Sequence, residues 1–288
     1  MNLLPSPIVA AYCQGFFGAD GPAYVERVKR SGFNTVVLAL GHVHYRDSKP
    51  DTYYGDVYYN NTEIVANGSY VGPAGWAGLI GQLKQGPDAV ERVLFSIGGW
   101  GVGDFANIER LIAEFGTGPQ SPLYRNFLAL RQLFPAIDAI DLDNEEGLDQ
   151  ASMVAFCRML GAIGFQVTFC PYNDQAGWID CLAELESSDP GLVVGFNLQC
   201  YAGGGGNDPA DWIRALRARL GNGFPASFVI PGVDTGGGPA QVRAQFAGWA
   251  GDGIGGGFLW TFEGAGPQPR DYARAIAAGL GADASAAA

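Results

Sequence analysis

Apolar and polar positions along this 288-residue chain switch repeatedly between two patterns. Short apolar runs fall at residues 8–16, 33–40, 92–97, 137–143, 165–170, 192–201, 227–231 and 256–261, and their length and Gly/Pro boundaries read as β-strands. Between them lie segments of helical period at 22–30, 76–84, 108–115 with 124–133, 150–163, 175–185, 209–220, 240–250 and 270–280. Eight strands alternating with helices imply parallel β-α units. The alternation is continuous and no Pro/Ser-rich linker interrupts it. The expected fold is therefore α/β, a closed (β/α)8 TIM barrel rather than an open doubly wound sheet. One domain is expected over residues 1–282, followed by a tail of small residues, 283–288, expected to fray. The stretch after the second strand, 42–71, is long, and Tyr53-Tyr54-Gly55-Asp56-Val57-Tyr58-Tyr59 within it reads as a hairpin. It lies on the side where strands end and helices begin, which carries the sites of such barrels.

Composition narrows the classes. The chain is 48% hydrophobic and 16% charged, which is globular, and its formal net charge is −12. That balance argues against nucleic acid or an anionic membrane as partner and fits a neutral or cationic ligand. No apolar run approaches the length of a membrane span. Residues 1–7 lack a basic segment followed by an apolar core, so no secretory leader is expected here. The five cysteines, Cys13, Cys157, Cys170, Cys181 and Cys200, form no C-x-x-C pair, and three of them sit in apolar runs as small hydrophobes. No zinc site is expected from them, and nothing demands an oxidising compartment, with one bridge left open.

The chemistry concentrates in the fourth strand and its end, A-I-D-A-I-D-L-D-N-E-E from Ala136 to Glu146. Side chains alternate between faces of a strand, so Asp141, Asp143 and Glu145 project one way, while Ile140 and Leu142 project the other. Three stacked carboxyls repel, so one is expected to hold a proton near neutral pH, as a general acid must. Gly98 and Gly99 end the third strand, where a backbone or ligand can approach closely. The G-x-G-x-G at Gly99, Gly101 and Gly103 has the wrong spacing for a dinucleotide loop. Asn197, Gln199 and Tyr201 alternate along the sixth strand and suggest a polar pocket. Trp260 ends the eighth, as barrel plug or as the floor of a sugar site. His42 and His44 form H-x-H, a possible metal pair with the fourth-strand carboxylates that nothing else in the sequence requires.

Ser96-Ile97-Gly98-Gly99 resembles the S-x-G-G signature of glycoside hydrolase family 18. Asp138-Ala139-Ile140-Asp141-Leu142-Asp143-Asn144-Glu145 is similar to its D-x-x-D-x-D-x-E signature at every required position. The resemblance implies a β/α barrel and retaining hydrolysis in which the substrate, not the enzyme, supplies the nucleophile. Glu145 would protonate the glycosidic oxygen, and the 2-acetamido carbonyl of the sugar would attack the anomeric carbon to give an oxazolinium ion. Asp143 would orient the acetamido N–H, Asp141 would share a proton with Asp143, and Tyr201 would hold the acetamido oxygen. Trp260 would floor the pocket and Gln199 would add a hydrogen-bonding wall, with Trp100 and Tyr172 as further sugar platforms. Trp76 and Trp178 are weaker candidates, and Trp212 and Trp249 are expected to pack helices. Ser96, Gly98, Gly99 and Asp138 would support the site. Asn144 stands where many relatives carry an aromatic; it should point outward with little effect. Ala202 stands where bacterial-type relatives carry Asp, and Ala202-Gly203-Gly204-Gly205-Gly206 reads as a mobile loop.

Only residues 232–238 join the seventh strand to its helix, without the small α+β insertion that walls a tunnel in some relatives. An open cleft and cutting within chains follow as expectations. The resemblance thus implies an endo-acting chitinase on β-1,4-linked N-acetylglucosamine polymers, with no cofactor and no metal, expected to be a monomer. An endo-β-N-acetylglucosaminidase cutting the chitobiose core of N-glycans is the alternative within enzymes; a chitolectin-like barrel that binds without cutting is the alternative outside them. Because chitin lies outside most cytoplasms, export is expected on functional grounds despite the lack of a visible leader.

Overall fold

The computed structural model of the chain describes residues 7–16, 18, 20–45 and 54–281. Eight strands close on themselves: β1 (Ile8–Cys13), β2 (Thr35–Val43), β6 (Arg92–Gly99), β7 (Ala139–Asn144), β8 (Gln166–Phe169), β9 (Val193–Gln199), β10 (Val229–Asp234) and β11 (Gly256–Trp260). Each pairs in parallel with its neighbour, and β1 pairs with both β2 and β11, which completes the barrel. The helices α1 (Gly21–Lys29), α2 (Trp76–Gln82), α3 (Asp104–Phe115), α4 (Pro122–Leu133), α5 (Gln150–Ile163), α6 (Gln175–Ser188), α7 (Pro209–Leu220), α8 (Gly238–Trp249) and α9 (Pro269–Gly279) lie in the connections. The (β/α)8 barrel expected from the alternation is the fold observed.

Strand parity divides the core into two compartments. Ile8, Ala10 and Tyr12 belong with Ala39, Ala139 and Phe258 to an inner cluster, whereas Val9, Ala11 and Cys13 join the larger layer between strands and helices. Small residues face large ones inside. A Cβ at Gly232 would overlap the Phe258 ring, so glycine in β10 is what lets that ring fill the interior. Side-chain caps fix where several helices start: Ser121 accepts from Tyr124 N at 3.2 Å, Asp149 from Ser152 N at 2.8 Å and Asp208 from Ala210 N at 2.8 Å.

Several boundaries depart from the periodicity. β2 runs to Val43 because it pairs antiparallel with β3 (Val57–Tyr59) beyond the barrel rim. β3 pairs in turn with β4 (Thr62–Ala66), and β4 with β5 (Ser69–Tyr70). The hairpin expected within residues 53–59 is thus displaced: its turn is at Asn60 and Asn61, Asn60 being at φ 48°, while Tyr53 lies outside the described residues. Gly55 bonds back to the chain just after β2, its N–H donating to His44 O at 2.9 Å. The buried Asn126 of α4 anchors this excursion by accepting from Gly68 N and donating to Gly55 O. The expected strand at 227–231 begins later, because Ala226–Phe228 form a 3-10 turn, and continues to Asp234. Two non-proline peptides, Ala39–Leu40 and Trp260–Thr261, are cis. All five cysteines are free and buried, and residues 283–288 lie outside the described ones.

Candidate active site

Along β7, Ile140 and Leu142 face the helices, and Asp141 and Asp143 face the barrel interior; Glu145 follows one residue beyond the strand. The alternation read from the sequence therefore puts the three acids in line, at the end of the barrel where strands give way to helices. Asp141, at 0% exposure, is the deepest. Its Oδ2 accepts from Tyr12 OH at 2.8 Å and Ser96 Oγ at 2.7 Å, and its Oδ1 from Thr168 Oγ1 at 2.6 Å and Asn197 Nδ2 at 2.8 Å. Four donors occupy the four lone-pair directions of a carboxylate. Burial raises this carboxyl above its ordinary pKa, and the four hydrogen bonds oppose that rise.

Asp143 and Glu145 are joined through one amide. Gln199 Nε2 donates to Asp143 Oδ1 at 2.8 Å and lies 3.2 Å from Glu145 Oε1. Burial raises Asp143 well above the usual carboxylate range, and repulsion from Glu145 and Asp141 adds to it. Glu145, half-buried, is also raised by burial, while its bond to Gln199 works the other way. A carboxyl held towards its protonated form beside a second acid is what acid catalysis at mild pH requires. Cys170, directly after β8, completes the floor: its Sγ is 3.3 Å from Tyr12 OH and 3.6 Å from Gln199 Nε2, and burial keeps the thiol protonated.

Backbone at the end of β6 sets the spacing. Gly98 pairs in register with Asp143, and a Cβ there would overlap the Asp143 carbonyl oxygen and stand 2.8 Å from Phe105. Gly98 also sits at φ +115°, and Gly99 at +106° with Leu40 2.8 Å from where its Cβ would be. Ser96 and Gly98 thus lie directly against the acids, Ser96 facing Asp141 and Gly98 facing Asp143, with Gly99 facing Asn144. Asp138 lies apart from them. It precedes β7 at the opposite end, where its carboxylate binds Lys84 Nζ at 2.6 Å and accepts from Val93 N at 2.9 Å. It pins the start of the strand, far along it from Glu145.

The aromatic wall is formed by Tyr201 and Trp260, both half-buried, whose rings are nearly parallel at 10° with centroids 6.4 Å apart. Tyr12 meets the Trp260 ring edge-on at 5.5 Å. Trp100 stands on the rim at 78% exposure, whereas Trp76, Trp178 and Trp212 are buried packing residues. Tyr172 is half-buried, and its hydroxyl end packs against Gly203, where an added Cβ would overlap it. The loop expected to be mobile after Tyr201 forms a 3-10 turn, Ala202–Gly204. Asn207 ties it down, donating to Tyr172 O at 3.0 Å and Gln199 O at 2.8 Å.

His42 and His44 do not converge on the acids. His42 Nδ1 lies 2.8 Å from Asp104 Oδ2, and His44 stacks on Tyr58. Among the described residues no group of three or more His, Cys, Asp or Glu is placed to hold a metal. Nor is any helix among them long and apolar enough to cross a membrane.

Asn144 points outward, as its parity implies, and outward in this barrel means under α3 and α5, where it is 3% exposed. Its Oδ1 accepts from Glu146 N at 3.1 Å and its Nδ2 donates to Gly147 O at 2.7 Å. Sequence reasoning missed Tyr12, Thr168 and Cys170. Tyr12 and Thr168 carried a signal, as hydroxyls inside otherwise apolar strand runs on the same parity as inward residues.

No protein-family model matches this sequence, and no curated protein matches it. Solved structures do. The chain is similar to a chitinase from Chromobacterium violaceum at 16% identity and TM-score 0.57, over 96% of this chain and 99% of that one. It is similar to a glycoside hydrolase family 18 N-acetylglucosaminidase from Paenibacillus barengoltzii at 12% identity and TM-score 0.62, over 95% and 99%. It is also similar to a chitinase-like agglutinin from Robinia pseudoacacia at 13% identity and TM-score 0.56, over 93% and 99%. At these identities the likeness is one of fold, and it extends over nearly the whole of each chain: this protein has the (β/α)8 barrel of those three structures.

Proposed function

We propose that this barrel is a retaining glycoside hydrolase of the family 18 type, cutting β-1,4-linked N-acetylglucosamine polymers by substrate-assisted catalysis. The observation that carries the reading is the pair Asp143 and Glu145 bridged by Gln199 beside the Tyr201–Trp260 wall. A sugar ring resting on Trp260 would present its glycosidic oxygen to Glu145 and its 2-acetamido group to Asp143 and Tyr201. Glu145 donates its proton to the bridging oxygen as the C1–O bond breaks. The acetamido carbonyl oxygen forms the new bond to C1, and Asp143 accepts from the acetamido N–H, which stabilises the positive charge of the oxazolinium ion. Water then attacks C1 as the bond between C1 and the acetamido oxygen breaks, and gives a proton to Glu145, restoring the acid, the acetamido group and the original anomeric configuration. Asp141, its lone pairs filled by Tyr12, Ser96, Thr168 and Asn197, acts as a fixed neighbouring charge.

The structural neighbours named as chitinase and N-acetylglucosaminidase support this chemistry. The neighbour named as an agglutinin makes binding without cutting the competing reading, against which stands the complete set Asp141, Asp143 and Glu145. Residues 235–237 alone connect β10 to α8, which leaves the rim low and supports cleavage within chains. The deciding experiment incubates wild type and Glu145→Gln with chitin oligomers and with a high-mannose glycoprotein. Wild type should cut the oligomers, and the variant should bind them while losing turnover by about 10²–10⁴-fold. Equal rates for the two proteins would end the proposal, and release of glycan alone would move it to the N-glycan alternative.

A further inference from the structure

Glu145 follows a strand end and carries the proposed proton transfer, so something other than the sheet must hold it still. Its two neighbours do this from opposite sides. Asn144 shares a small cavity with Phe105 and Ile108 of α3 and Met153 and Phe156 of α5. From there its amide closes the turn around Glu145, accepting from Glu146 N and donating to Gly147 O. A carboxamide supplies one acceptor and one donor, and this turn uses both. Phenylalanine would offer neither, and Asp would offer only acceptors while adding another carboxyl next to the three already stacked. Glu146 is exposed and turns towards β6: both its carboxylate oxygens lie 3.1 Å from Gly103 N. Gly103 immediately precedes α3 and ends the loop that begins with Trp100. Gly99, at the root of that loop, stands beside Asn144 in the sheet register.

We infer that Asn144 and Glu146 are positioning residues. Together they brace the turn bearing Glu145 and tie it to the loop bearing Trp100, so that the acid and the rim tryptophan are held as one body. Neither residue touches the reacting atoms. The inference rests on the functional reading above for its kinetic consequences, but not for the brace itself.

Its test combines kinetics on a chitin oligomer with backbone amide exchange over residues 100–104 and 144–147, in Asn144→Ala, Glu146→Ala and Glu146→Gln. In Asn144→Ala, exchange at the Glu146 amide should rise and kcat should fall by about a hundredfold at nearly unchanged KM, the cost of a misplaced acid. In Glu146→Ala, exchange at the Gly103 amide should rise, and KM should increase by roughly tenfold, the worth of one charge-assisted hydrogen bond. Glu146→Gln keeps an acceptor for that amide and should recover most of both effects. Glu146 is on the surface, so its variants keep the question open to experiment even if Asn144→Ala does not fold. Unchanged exchange at both amides, or equal kinetic damage in Glu146→Ala and Glu146→Gln, would overturn the brace. Wild-type protein inert towards the oligomer would instead refute the functional reading, and the exchange pattern would still decide the brace.

Discussion

Thr168→Val removes one hydroxyl from the barrel interior and leaves the outline of the side chain intact. Thr168 is buried, and its Oγ1 donates to Asp141 Oδ1 at 2.6 Å. Asn197 Nδ2, 3.4 Å from that hydroxyl, keeps its shorter bond to Asp141 in the variant, so no donor is orphaned. The loss is therefore one hydrogen bond to a buried acid. If Asp141 is ionised, that bond contributes about 1.5–3 kcal/mol, against about 0.5–1.5 kcal/mol for a neutral acceptor. At roughly 2 °C per kcal/mol for a chain of this size, Tm should fall by about 3–6 °C at pH 7. Thermal unfolding followed by circular dichroism reads this directly, with Ser96→Ala as a second donor removed from the other oxygen. A Tm within about 1 °C of wild type would refute the picture of Asp141 as an anion held by four donors.

Further outcomes follow from the same geometry. Asp143→Asn should be inactive yet more stable than wild type at pH 8. Burial and neighbouring charge raise Asp143 in the folded state, so wild-type stability is fully present below the unfolded carboxyl pKa of about 3.9 and is lost as pH rises through the folded value. The Tm gap between the two proteins should accordingly be small near pH 4 and wider at pH 8, and a gap of the opposite sign at pH 8 would contradict the assignment. The rate should fall on the alkaline side as Glu145 loses its proton, and Gln199→Leu should move that limb to higher pH, since Gln199 favours the ionised form; a shift to lower pH would be the wrong sign. Gly98→Ala should cost about 2–5 kcal/mol through strain at positive φ and overlap with Asp143, read as a lowered Tm and lost turnover. Trp100→Ala should leave Tm unchanged, because the ring is exposed, and raise KM for long oligomers more than for short ones.

Parity and alternation made much of this molecule readable. The step of two that separates Asp141, Asp143 and Glu145 is a local property of one strand, and so is the break of glycines after Ile97. What escaped was non-local. Tyr12 and Thr168 lie in β1 and β8, and only closure of the barrel brings both to the same carboxylate. Asn144 takes its outward direction from strand parity alone, but its burial there comes from the ring of helices. Asp138 belongs to the acidic signature by spacing but to the far end of the strand in space. The hairpin after β2 lies further along than residues 53–59, because the chain turns at Asn60, where the backbone takes a positive φ.

The overlap that forbids a side chain at Gly98 has a practical corollary. A designer wishing to move this acidic centre into another barrel could not graft the D-x-D-x-E segment alone. The host strand alongside would have to carry glycine opposite the second aspartate, or a Cβ there would collide with the transplanted main chain. The portable unit is two adjacent strands with their shared register, Ser96 facing Asp141 and Gly98 facing Asp143.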